Sequence, residues 1–296
     1  MKKTLTISLI FLLSVTALAQ PTENKKIRLF DHSDRSNFLL TYAQAGLHKT
    51  LDQGVSPLLY KGPIIGGGLG YRSEKSNRIW DVTGDFGYAI TETEATSDFG
   101  GFQNYHINLD AQYLWNLDYQ NTYPVKFYAG FSTNQTINFR LNENMFNASF
   151  GYDVISGLGV SAFTAKSFNI KGFDISLFRW FARYHPHKVT VEYEIDLPLV
   201  FSYIRPTYVV IENFVDGNID PYDPERAEMA TIGTVFQLKS NLGLSYHLRN
   251  QNIIRFGYLW QYYSIDPEYS RVQGATHLFQ IQFKFQLNTK SSEHES

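Results

Sequence analysis

Hydrophobic and polar residues alternate with a period of two along most of the chain, the pattern of β-strands with one apolar and one wet face. Between residues 104 and 117 the odd positions are hydrophobic throughout, and the even positions are polar up to Gln112. Residues 188–197 and 279–287 repeat this alternation. The sequence therefore predicts an all-β fold.

Two further features favour a membrane setting for these strands. Aromatic residues make up 16% of the chain although its mean hydropathy is only −0.26, so the aromatics are interleaved with polar residues. On the apolar faces they gather toward the strand ends, as in Trp80, Phe86 and Tyr88, which matches an apolar band flanked by interfacial girdles. The opposite faces carry small and charged residues, which suits the inside of a barrel.

Turn signals divide the chain into about twelve strands, joined by alternating short and long connections. An even count places both ends of the barrel on the periplasmic side. We therefore predict a transmembrane antiparallel up-and-down β-barrel over residues 36–288, with strands near 36–47, 58–73, 77–92, 102–117, 122–136, 147–163, 169–183, 188–196, 199–212, 230–248, 252–264 and 274–288.

The seventh to ninth strands rest on the weakest alternation. Trp180 and its aromatic neighbours blur the pattern, and Pro198 and Pro206 interrupt pairing. We predict turns at 163–168 and at 196–198. If residues 188–212 instead form a single bent strand, the count falls to ten.

The ends of the chain indicate export. Residues 1–19 have the basic start, apolar run and small-residue end of a signal peptide. Residues 20–35 form a polar lead, and 289–296 a polar tail. Cysteine is absent, which excludes disulfides and thiolate metal sites. No later apolar run is long enough for a membrane-spanning helix, so we expect export to the cell outer membrane.

The signal end Ala17-Leu18-Ala19-Gln20, the aromatic-rich alternating strands and the amphipathic segment 279–287 resemble small, porin-like outer-membrane β-barrels of Gram-negative bacteria. The resemblance is architectural and covers nearly the whole mature chain. It implies contact with outer-membrane lipid and insertion by the barrel assembly machinery. Many such proteins end on an aromatic residue, whereas nine residues follow Leu287 here.

The alternation also predicts which charged side chains point into the lumen. The narrow passage that they would line makes a passive channel for small polar solutes our leading hypothesis, because charged rings set pore selectivity. Pairing among the same charges would instead plug the lumen and leave a barrel for surface interaction or envelope assembly. The predicted lining residues are Asp81, Asp85, His106, Asp110, Lys126, Asp153, Glu192, Glu194, Lys239, Arg255 and Lys284, in a wider set with Asp174, Lys188 and Asp196.

Other functions find less support in the sequence. A lipid-modifying enzyme needs a serine beside a histidine on the outer wall, and His277 has no such serine nearby in sequence, so we predict no catalytic residues. The acidic segment 216–223 fails the EF-hand pattern, and His185-Pro186-His187 offers only two ligands, so we predict neither a metal nor a cofactor. A net charge of −2 gives no case for nucleic acid.

Overall fold

The computed structural model describes residues 36–94, 101–118, 125–142, 150–170, 187–205, 226–248, 250–266 and 271–287. None of the helical segments in these ranges is long and apolar enough to cross a membrane. The described residues form the strands β1 (Ser36–Asp52), β2 (Ser56–Lys75), β3 (Arg78–Thr91), β4 (Phe102–Asn116), β5 (Val125–Leu141), β6 (Phe150–Ile170), β7 (His187–Ile204), β8 (Glu228–Thr231), β9 (Val235–His247), β10 (Ile253–Ile265) and β11 (Val272–Gln286).

These strands close into one antiparallel barrel. Each strand from β1 to β7 pairs with the next one along the chain. On the other side, β1 pairs with β11, β11 with β10, β10 with β9, and β9 with β7. The short β8 pairs with residues 200–203 of β7, and the longer β9 pairs with residues 189–196. Together β8 and β9 therefore occupy one position in the barrel. The barrel therefore has ten strand positions, the smaller of the two predicted counts.

The predicted count of twelve strands was wrong in the region of the seventh to ninth strands. The predicted turn at 196–198 lies inside the continuous strand β7, and the one at 163–168 lies inside β6. Pro198 is accommodated because the register shifts beside it: Pro198 pairs with Gly159 and Val200 with Leu158, leaving Leu199 as a bulge. Residues 171–183 of the predicted seventh strand lie outside the described residues, as do the predicted signal peptide, lead and tail.

The register sets the tilt of the strands. When paired residues are followed from Gln44 in both directions around the barrel, the two paths reach β6 at Asp153 and Ala165, twelve residues apart. A stagger of this size gives the strand tilt of roughly 35–45° that is usual for closed barrels. We call the end that holds the β1–β2 turn the upper end, and the end that holds Ser36 and Leu287 the lower end.

The outer wall carries an apolar belt. Along β1 the outward residues run from Leu39 to Leu47, both exposed, and the next outward residue is Lys49. Lys49 pairs across the strands with Lys61, which is also exposed, so the belt ends at this level. Elsewhere the belt includes large exposed side chains that a water-soluble protein would bury, among them Leu69, Phe86, Leu109, Phe131, Leu242, Phe256, Phe279 and Phe283.

Aromatic side chains line the lower edge of the belt. Trp80 packs against Tyr71, with ring centroids 5.5 Å apart, and Tyr113 packs against Trp115 at 4.7 Å. This is the predicted interfacial girdle. An apolar exterior around a polar interior is the arrangement of a transmembrane β-barrel, as the alternation predicted.

Candidate functional site

Of the eleven predicted lining residues, all but one lie inside the barrel. Lys126 alternates with the inward residues of β5, but it is the second residue of that strand and is exposed. The remaining ten lie on the inner face, at three levels between the upper and lower ends. Asp174 lies outside the described residues, and Lys188 is exposed.

At the upper end, an ion-pair cluster spans the lumen. Arg140 on β5 donates from Nε to Oδ2 of Asp52 on β1 at 2.7 Å, and its Nη2 pairs with Asp153 on β6. Arg205, at the end of β7, pairs with Asp52 and lies 3.7 Å from Asp153. All four side chains are at most 3% exposed, so the cluster fills its level of the barrel.

Asp52 lies above the apolar belt, because the belt ends at Lys49 on the same strand. Burial alone would raise the pKa of Asp52, but the guanidiniums of Arg140 and Arg205 outweigh it and hold that pKa below its ordinary value. The carboxylate is therefore charged at neutral pH, and the upper cluster is electrically paired.

Apolar side chains complete the upper closure. An inward-facing cluster packs beside Arg140, and Tyr263 of that cluster accepts a hydrogen bond from Arg140 Nη1 at 3.2 Å. Within the part of the chain that the structure describes, buried apolar side chains and paired charges therefore fill the lumen at this level. The cluster consists of Ile155, Phe201, Tyr203, Ala230, Val235, Tyr263, Ile265 and Val272.

Two groups of ion pairs lie near the lower end, and we call them together the lower cluster. Glu192 on β7 accepts from Arg255 Nε on β10 at 3.0 Å and lies 3.4 Å from Lys284 Nζ on β11. Arg72 on β2 pairs with Glu74 and with Asp81, at 2.7 and 3.2 Å.

Aromatic and aliphatic side chains also fill this lower level. The Arg72 guanidinium lies 4.8 Å from the ring centroid of Phe163 on β6, which is across the barrel. Phe163 packs with Ile79, Leu114 and Tyr128. The lower level is thus closed in the same way as the upper one.

Between the two clusters lies a cavity of about 130 Å³, which we call the central chamber. Three hydrogen bonds cross it between strands that are not neighbours. Lys239 Nζ donates to Asp110 Oδ2 at 2.6 Å, and Gln112 Nε2 donates to Glu194 Oε1 at 3.2 Å. The third runs from Asn134 Nδ2 to the Gln237 amide oxygen at 2.6 Å.

Asp85 and Asp196 also line the chamber, on opposite sides. Asp85 accepts from Asn108 Nδ2 at 2.9 Å and from Tyr42 Oη at 3.3 Å. Asp196 accepts from Ser161 Oγ. The chamber is therefore a polar space inside the barrel with carboxylates on several strands.

Five charged residues of the closures were missing from the predicted set. One of them, Glu74, falls between the predicted strands 58–73 and 77–92, whereas β2 continues to Lys75. Asp52 and Arg140 fall in the stretches 48–57 and 137–146, which we predicted as loops, whereas β1 and β5 continue through them. Arg72 alternates with the outward Tyr71, so its inward direction was readable from the sequence. Arg205 follows the bulge at Leu199, which reverses the expected facing of the residues after it.

His277 lies on the outer wall, as predicted, between Leu47 and Trp260 on the neighbouring strands. Its Nδ1 is 2.6 Å from Tyr258 Oη. The hydrogen-bond partner is thus a phenol on the adjacent strand and not the serine that acyl transfer would use.

No group of three or more histidine or acidic side chains within the described ranges is placed to hold a metal ion directly. The acidic segment 216–223 and His185 lie outside those ranges, whereas His187 is the first residue of β7. The prediction that the protein uses no cofactor stays a prediction.

Comparisons with known proteins find similar chains among solved structures. No family model and no curated protein matches the sequence. Among solved structures, the outer-membrane protease OmpT from Escherichia coli is similar at 9% identity over 87% of this chain and 98% of that one, with a TM-score of 0.45. The β domain of the Bordetella autotransporter BrkA (11% identity, 85% and 99% coverage, TM-score 0.36) and Ail of Yersinia pestis (12%, 85% and 99%, 0.26) are similar too.

Proposed function

We propose that the protein is an outer-membrane barrel that is closed to passive flow and serves as a membrane-anchored scaffold for surface interaction or envelope assembly. In this proposal the chain is exported by its signal peptide, inserted by the barrel assembly machinery, and surrounded by outer-membrane lipid through its apolar belt. Its work is done at its rims and not through its lumen.

The observation that carries this proposal is that ion pairs and packed side chains occupy the lumen at two levels in series. Arg140 joins β5 to β1 at the upper level, and Glu192 joins β7 to β10 and β11 at the lower level. Barrels of about eight strands are filled by side chains and those of about sixteen hold a channel. A ten-strand barrel with both levels filled belongs with the first group.

Single-channel recording in planar bilayers tests the proposal. We expect the refolded wild-type chain to give no steady openings. Because the closures act in series, removing one should leave the barrel silent and removing both should open it. The upper closure is removed by Asp52→Ala with Arg140→Ala, and the lower by Glu192→Ala with Lys284→Ala.

The variants are chosen to limit the loss of stability, and in the lower one Arg255 Nη2 still donates to Asn241 Oδ1 at 2.9 Å. Removing Asp52 together with Arg140 leaves Asp153 beside Arg205, 3.7 Å apart, so no buried carboxylate loses its counter-charge. Heat-modifiable mobility on gels checks that each variant is still a barrel. Steady wild-type openings would contradict the closed-scaffold proposal, whereas a silent variant that lacks both sets of ion pairs would show that the apolar side chains at the two levels are enough to close the lumen.

A narrow passive channel for small polar solutes remains the second candidate, and the central chamber favours it. A polar space between two levels of paired charges is the form that a narrow conduit would have at rest, because ion pairs can exchange partners with water and ions. Openings that appear only under an applied voltage, with a cation preference in the reversal potential, would support this candidate over the scaffold.

A further inference from the structure

Charge is balanced at the two closures and unbalanced between them. The upper cluster has two guanidiniums and two carboxylates. The lower one has three cations, Arg72, Arg255 and Lys284, against Glu74, Asp81 and Glu192.

The central chamber is bordered by residues of the lower cluster, which pair with one another. Its other ionisable groups are the four carboxylates of Asp85, Asp110, Glu194 and Asp196 and the ammonium of Lys239. With all five groups ionised, the chamber has a formal charge of −3. Enclosed carboxylates without counter-charges are costly, so this excess calls for a cation or for protons.

Unsatisfied acceptor atoms line the same chamber, independently of the carboxylates. Gln112 Oε1, Ser132 Oγ and Asn134 Oδ1 are buried and have no hydrogen-bond partner within the part of the chain that the structure describes. Buried acceptors of this kind need a donor or a cation.

His106 adds a nitrogen acceptor at the roof of the chamber. Its Nδ1 lies 2.6 Å from Asn138 Oδ1, which can only accept, so the ring proton is on Nδ1 and Nε2 presents a lone pair. His106 is only 8% exposed, and its Nε2 has no partner among the described residues. Lone pairs as well as negative charges therefore face this space.

The geometry points to a hydrated magnesium ion as the occupant of the central chamber, and this inference holds whether or not the barrel conducts. The donors are almost all oxygen atoms, which suit a hard divalent cation. Within the described ranges no three acidic or histidine side chains converge to ligate a bare ion. Magnesium keeps several of its waters and binds through one or two carboxylates, so three side chains need not converge on the ion.

The size of the chamber agrees with a hydrated ion. A water molecule needs on the order of 10–15 Å³ of such space, and the chamber offers about 130 Å³. The ion and its first water shell fit, with waters donating to the amide, hydroxyl and imidazole acceptors. Lys239 already shows how a cation is held there, since its ammonium contacts Asp110 at 2.6 Å.

Equilibrium dialysis against magnesium chloride tests the inference on the full chain, refolded in detergent without lipopolysaccharide. We expect saturable binding of one ion per barrel. Asp85→Asn, a nearly isosteric change, should weaken binding at least tenfold. Lys239→Met removes the internal cation and should strengthen binding severalfold, which a merely destabilising change would not do. Asp266→Asn, an exposed acid paired with Arg271, should leave binding unchanged.

Three results would overturn the inference. One is the absence of saturable magnesium binding by a barrel that shows native heat-modifiable mobility. Another is equal affinity in wild type and Asp85→Asn. The third is an infrared carboxylic-acid band that persists at neutral pH in saturating magnesium, which would mean that protons and not a cation balance the chamber.

Discussion

Arg140 Nε donates to Asp52 Oδ2 at 2.7 Å, joining strands that lie on different sides of the lumen and are 88 residues apart in the sequence. The same guanidinium also reaches Asp153 and Tyr263. One side chain thereby connects β5 with β1, β6 and β10. The upper end of the barrel depends on it for shape as well as for closure.

Arg140→Ala is therefore expected to destabilise the barrel by about 3–5 kcal/mol, because Asp52 and Asp153 remain buried after losing their shared partner. The free energy of unfolding by urea, measured in lipid vesicles, tests this. Asp52→Ala combined with Arg140→Ala should cost less than the two single changes together, since the charge that is left behind is removed as well.

The matched control is Arg271→Ala. Arg271 and its partner Asp266 are about half exposed and 3.6 Å apart, so the loss should be roughly 0–1 kcal/mol. If Arg140→Ala and Arg271→Ala had equal effects, the upper cluster would not contribute to stability as described.

Stability should also fall in acid through Asp52. Its pKa is depressed in the folded chain, so its carboxylate stabilises the fold at pH values above its unfolded pKa of about 3.9. That contribution is lost as the pH falls below about 4 and through the folded pKa. The free energy of unfolding should therefore drop more between pH 7 and pH 3 in wild type than in Asp52→Asn.

Glu94 provides the comparison for this pH effect. It is an exposed carboxylate at the upper end that pairs with Lys61. Glu94→Gln should change the pH dependence little, because solvent screens an exposed pair. Equal slopes in wild type and Asp52→Asn would show that Asp52 is not held charged by its two arginines.

The barrel itself could be predicted because its driving pattern is local. Alternation along β4 and β11 is nearly unbroken, and it correctly separates an outward residue such as Phe279 from an inward one such as Gln280. The predicted number of strands was wrong where a local sequence signal for a strand break conflicts with the strand pairing in the sheet. Pro198 looks like a strand break in the sequence, but a bulge opposite Gly159 accommodates it in the sheet.

The closures could be predicted only in part, since they depend on contacts between distant strands. The sequence identified Glu192, Arg255 and Lys284 as lumen residues, but not that they meet. Arg140 was assigned to a loop because the predicted fifth strand ends at residue 136, whereas β5 extends above the apolar belt to Leu141. Strand extension beyond the membrane leaves no clear mark in the alternation.

Gly159→Ala tests the bulge. A methyl group at this position would lie 2.2 Å from the carbonyl oxygen of Leu197 and 2.3 Å from Cα of Pro198, so the backbone of β7 would have to shift. We expect a loss of about 1–3 kcal/mol, in the range of overpacking. Gly233→Ala is the control, because nothing lies within 4 Å of its added methyl group. Equal unfolding free energies for both variants would mean that β6 and β7 are not this close at the bulge.

The facing of β11 is tested by placing lysine at two adjacent positions. Phe283 points outward and is 42% exposed on the apolar belt, whereas Gln282 points inward and lines the central chamber. Phe283→Lys should cost up to about 2–4 kcal/mol, because a lysine on the apolar belt must leave water. Gln282→Lys should cost much less, since its ammonium would enter a space with excess carboxylates. Folding yields and unfolding free energies in lipid vesicles compare the two. If both variants folded equally well, the assignment of an apolar outside and an acidic inside to this strand would be wrong; if Gln282→Lys alone failed, the chamber would lack the negative charge that we describe.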